Sequence, residues 1–90
     1  MKLIEFKAEL ITRWYEIAPF SEILIREDNH YGGSLKIHIE WFCRGTVRCY
    51  DTLLSYSELS ATKYNAMDTI LNTLTGAYYS TLLLKNKEKL

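Results

Sequence analysis

Between Leu35 and Phe42 the chain alternates with the period of a two-faced β-strand. Leu35, Ile37, Ile39 and Trp41 interleave with Lys36, His38, Glu40 and Phe42, so one set of side chains points to each side of a sheet. A turn is expected at Cys43-Arg44-Gly45, followed by a returning strand from Thr46 to Leu53. A three-residue loop would seat Gly45 in the left-handed position that such loops require. That register opposes Trp41 to Val47 and Ile39 to Cys49 on an apolar face. The other face then opposes Glu40 to Arg48, His38 to Tyr50 and Phe42 to Thr46. A two-residue loop would put Trp41 opposite Arg48 and mix the faces, so the longer loop is the expectation. One residue disagrees: Asp51 falls on the apolar face opposite Ile37, where it must sit at the sheet's end or cap something.

The flanking segments supply helices and one more strand. Leu3, Phe6, Leu10, Trp14 and Ile17 step by three and four, predicting a helix over Lys2 to Ala18, with Glu9 and Arg13 spaced for an ion pair. Pro19, the only proline, disfavours helical geometry at Ala18 and ends it. Ser21 to Glu27 reads as a strand, and Asp28 to Ser34 as a loop rich in turn formers. Leu53 to Ser60 reads as a connection in which Ser55 and Glu58 have the spacing of a capping box, with Ser57 and Thr62 as competing caps. Tyr64, Met67, Leu71, Leu74, Tyr78 and Leu82 mark a second helix, interrupted by Gly76. Beyond Gly76 the segment Ala77 to Leu84 could continue as helix or turn to strand. Lys85 to Lys89 suits a helix C-terminus or a frayed tail.

The expected architecture is a single α+β domain over residues 1–90. It has two layers in the order αβββα, with both helices packed on one face of a three-stranded antiparallel sheet. Ninety residues, 48% of them apolar, suffice for one core. Eleven basic and eleven acidic side chains cancel, which disfavours a domain whose affinity comes from neutralising phosphates. No apolar run approaches the roughly 20 residues of a membrane span. Two cysteines without a leader sequence fit reduced thiols in a cytoplasm.

Catalytic, metal and cofactor signatures are not found. His38 and Cys49 are expected on opposite faces of the sheet, so they form no thiol and base pair. Cys43 and Cys49 lack the second ligand pair of a zinc site, and Gly32-Gly33 reads as a turn. The element order resembles that of double-stranded-RNA-binding domains, and Phe42 and Tyr50 could stack bases. The segment where such a domain would grip phosphate, Ser60 to Asn65, carries a single lysine. Twelve aromatic residues, seven of them tyrosine, favour protein contact instead, because aromatic side chains and arginine dominate binding hot spots.

The expected contact surface is therefore Lys36, His38, Glu40, Phe42, Arg48 and Tyr50 on the open sheet face, with Tyr31 in the neighbouring loop. The expected function is non-enzymatic binding to another protein or protein complex, as an inhibitor or accessory factor. In size and architecture the chain resembles small phage or mobile-element proteins that block bacterial defence, such as anti-CRISPR proteins; no motif carries the likeness. A nucleic-acid-binding module and a toxin immunity protein are the alternatives. The open face, or the edge strand at Ser21 to Glu27, could also pair in a symmetric homodimer.

Overall fold

A computed structural model describes residues 3–61 and 63–88; the side chains of Tyr31, of residues 61–65 and of residues 83–88 lie outside the described part. The elements follow the expected order: α1 (Leu3–Ile17), β1 (Glu22–Asp28), β2 (Ser34–Cys43), β3 (Thr46–Ser55), a short α2 (Tyr56–Ala61) and α3 (Lys63–Glu88). The strands form one antiparallel sheet in the order β1-β2-β3. Helices α1 and α3 lie on one side of it, and among the described residues no element covers the other side.

Helix α1 buries the stripe Phe6, Leu10 and Trp14, and Ala18 closes it by donating its N–H to the Trp14 carbonyl at 2.8 Å. The Ala18 carbonyl accepts from both the N–H and the hydroxyl of Ser21, at 3.1 and 2.7 Å, so the exit past Pro19 leaves it satisfied. Between β1 and β2 a single 3₁₀ turn spans His30–Gly32. Asp28 accepts from the His30 N–H at 3.0 Å, and Gly33 donates to the His30 carbonyl at 3.0 Å.

The segment expected as a connection, Leu53 to Ser60, is instead the end of β3 and the start of α2. Strand β3 runs on to Ser55, which caps α2 directly. The Glu58 N–H donates to Ser55 Oγ at 3.2 Å, and Ser55 donates its own N–H to Glu58 Oε1 at 3.4 Å. Thr62, the competing cap, lies outside the described residues. Helix α3 continues through Gly76, so Ala77 to Leu84 is helix and not a further strand. Its side chains weld the layers together. Tyr78 meets Trp14 and Trp41 edge-on, with centroids 5.7 and 5.6 Å away, and Trp41 Nε1 donates to Thr81 Oγ1 at 3.0 Å. Leu35, Ile37, Ile39, Leu54, Met67, Ile70 and Leu74 complete the core.

The hairpin register differs from the sequence expectation. Cys43 opposes Thr46, so the turn has two residues, Arg44 and Gly45, at φ 58° and 75°. Both positive φ values are what a type I′ turn needs, and its twist suits paired strands. Trp41 therefore opposes Arg48, Ile39 opposes Tyr50, and His38 opposes Asp51. The expected pairs of Glu40 with Arg48, His38 with Tyr50 and Phe42 with Thr46 do not form. The physical reason lies in Asp51. The three-residue loop would press its carboxylate against the helices opposite Ile37, whereas the observed register exposes Val47 and Leu53. Exposing two aliphatic side chains costs far less than burying an unpaired charge.

Candidate functional site

The open face is a lattice of side chains set by the two registers. Across the strands, Phe42 lies beside Val47; Glu22 beside Glu40, with Cys49 beyond; Leu24 beside His38, with Asp51 beyond; and Arg26 beside Lys36, with Leu53 beyond. Of the expected contact residues, Lys36, His38, Glu40 and Phe42 are brought together here. Arg48 and Tyr50 are not. They point to the helix-covered side, where Tyr50 packs partly buried against the core and Arg48 stays exposed near the hairpin tip. The Tyr31 side chain lies outside the described residues.

Sequence reasoning missed Asp51, Leu24, Val47 and Leu53 as members of this surface. The signal for all but Leu24 was present in the misfit of Asp51. Cys49, expected in the core, is exposed on the open face, so it shares a side with His38; Cys43 is the buried thiol.

His38 occupies the centre. Its Nδ1 lies 2.6 Å from Asp51 Oδ1 on β3, and its Nε2 lies 2.9 Å from Glu40 Oε1 on its own strand. Both nitrogens can donate only in the imidazolium form. Hydrogen bonding to Glu40 and then to Asp51 accordingly raises the His38 pKa above its ordinary value. At the end of the face, Asp28 accepts from the His30 backbone N–H, lies 2.7 Å from His30 Nδ1 and pairs with Lys36 Nζ at 3.2 Å. These contacts, the backbone bond foremost, hold its carboxyl down at about 2.

Around this polar centre four apolar side chains stand in solvent: Leu24 is 48% exposed, Phe42 73%, Val47 54% and Leu53 61%. Phe20, just before β1, is 97% exposed near the Phe42 end, where it lines a shallow depression with Glu22, Glu40, Trp41, Phe42 and Val47. A second depression in the middle of the face is lined by Leu24, Arg26, Lys36, His38, Glu40 and Asp51. Neither is an enclosed cavity. Among the described residues, no group of His, Cys, Asp and Glu could hold a metal ion, and no helix is long and apolar enough to cross a membrane. Comparison with protein-family models, curated proteins and solved structures finds no match to this chain.

Proposed function

We propose that this protein acts by binding another protein through the open face of its sheet. The observation that supports it most is that Leu24, Phe42, Val47 and Leu53 are all exposed on the face that carries the bonded His38, with Phe42 and Val47 adjacent at one end. Adjoining exposed apolar side chains mark contact sites, and Phe42 with Val47 and Phe20 makes such a group, in which a large aromatic is a typical anchor. The charges on the face argue against phosphate as the ligand. Glu22, Glu40, Asp51 and Asp28 outnumber Arg26, Lys36 and His38 there. A small domain offering one such face suits an inhibitor or accessory factor of a larger assembly, the role that anti-defence proteins of phages play.

The test is capture of a partner from the native cell with wild type and with Phe42→Ala and Leu53→Ala. Loss of a hot-spot anchor should weaken the complex by roughly 30-fold. A control at Glu16, on the solvent side of α1, should leave capture unchanged. Capture that ignores both open-face substitutions, or binding to nucleic acid that falls steeply with salt, would contradict the reading.

A further inference from the structure

Strand β1 pairs with β2 on one side only; among the described residues no strand covers its outer edge. Natural edges are guarded by charged side chains, lysine above all, by proline, by a bulge or by a covering element. Between Glu22 and Asp28 there is neither proline nor lysine, and the pairing with β2 runs without a bulge, so what guards this edge is the charge of Glu22, Arg26, Glu27 and Asp28.

The charges of this strand are set against their own kind. Glu22 stands directly opposite Glu40, and Arg26 directly opposite Lys36, arrangements that cost stability in a sheet. Glu40 is answered by His38, and Lys36 by Asp28. Glu22 and Arg26 have no hydrogen-bond or ion-pair partner among the described residues. Both are exposed and hydrated, so each is open to an opposite charge from a partner, one at each end of the same edge.

The segment Glu22-Ile23-Leu24-Ile25-Arg26 complements itself when read backwards. We infer that two copies of this chain join edge to edge along β1, antiparallel about a two-fold axis at Leu24, forming one six-stranded sheet. Glu22 of each copy then opposes Arg26 of the other, Ile23 opposes Ile25, and Leu24 opposes Leu24. Both unanswered charges gain partners, twice over. A two-fold interface demands such self-complementarity, and this one has it in every pair from Glu22 to Arg26. The other edge offers no equivalent. Centring β3 on Tyr50 opposes Arg48 to Thr52 and Cys49 to Asp51, which leaves both charges unanswered.

A second feature lies on the same side of the molecule. Helix α1 exposes Ile4, Ile11 and Tyr15, at 74%, 37% and 38%, at spacings of seven and four that place them on one flank. Lys7, next to Ile4 and Ile11 on the helix surface, pairs with Glu27 of β1 at 3.0 Å. Helix α1 packs on β1, while α3 packs on β2 and β3, so this flank looks toward the β1 edge. The two-fold axis that pairs β1 with its copy turns the same flank of the second α1 toward it. Exposed aliphatic and tyrosine side chains from both helices would then cover the half-buried Ile23 and Ile25 at the join. This inference stands apart from the reading of the open face; the dimer would simply double that face.

Sedimentation equilibrium of the full chain tests it. The expected mass is twice the 10.6 kDa of one chain. Glu22→Arg alone and Arg26→Glu alone each create two like-charge pairs and should weaken the dimer by about tenfold or more, with unchanged circular dichroism. The double swap should restore it. Leu24→Cys in a Cys49→Ser background should crosslink to its own copy under mild oxidation. A wild-type chain that stays monomeric overturns the proposal, as does a dimer indifferent to the single swaps or a double swap that fails to recover.

Discussion

Gly33 and Gly45 both hold positive φ, yet they should not tolerate a methyl group equally. At Gly45 (φ 75°) an added Cβ would meet nothing within 4 Å, so the cost is conformational alone, about 1 kcal/mol. At Gly33 (φ 90°) the same atom would collide with the ring of Tyr56, whose N–H donates to the Gly33 carbonyl at 3.1 Å. Urea denaturation should therefore rank Gly33→Ala well below Gly45→Ala, with a loss of about 3 kcal/mol. His38 carries the other consequence of placement at this scale. Its folded pKa is raised by Glu40 and Asp51, so its ion pairs stabilise the fold fully below the ordinary histidine value of about 6.5. That stability is lost as pH rises through the elevated folded value, because the neutral ring can donate to only one of the two carboxylates. Asp28 behaves in the opposite sense, and its contribution is lost only as pH falls toward about 2.

Among the elements, α3 shows what propensity can and cannot decide. Gly76 is exposed within an unbroken helix, and nothing lies within 4 Å of an added Cβ. Gly76→Ala should raise stability by about 1 kcal/mol, read as a higher urea midpoint with unchanged slope. The glycine weakens the helix without ending it, because Leu74, Tyr78 and Thr81 on either side are held by the core and by Trp41. Such tertiary anchoring is not visible in a local pattern. The stripe of α1, the alternation of β2 and the Ser55–Glu58 cap were legible, since each depends on spacing along one segment. The hairpin register was not, since it depends on a sum over two strands. Gly45 fits a two-residue or a three-residue loop. Only the cost of burying Asp51 against the exposure of Val47 and Leu53 separates them. The half of the candidate surface on β2 was therefore readable from sequence, while the half on β3 was exchanged, side chain for side chain.

At the scale of the whole molecule, α1 and α3 pack on one face of three strands, the other face is open among the described residues, and the hairpin register decides its chemistry. With Asp51 there, His38 is locked between carboxylates from two strands, and Leu24, Phe42, Val47 and Leu53 stand exposed on the same face. With Arg48 there instead, Glu40 would face a guanidinium, and the centre of the face would be an exposed ion pair without Asp51. The proposed contact with another protein rests on the first arrangement. It is tested most directly by following the His38 ring protons by NMR across pH in wild type, Asp51→Asn and Arg48→Ala. The wild-type pKa should lie above the ordinary histidine value, fall clearly in Asp51→Asn and stay unchanged in Arg48→Ala. A His38 pKa that ignores Asp51→Asn but moves with Arg48→Ala would contradict it.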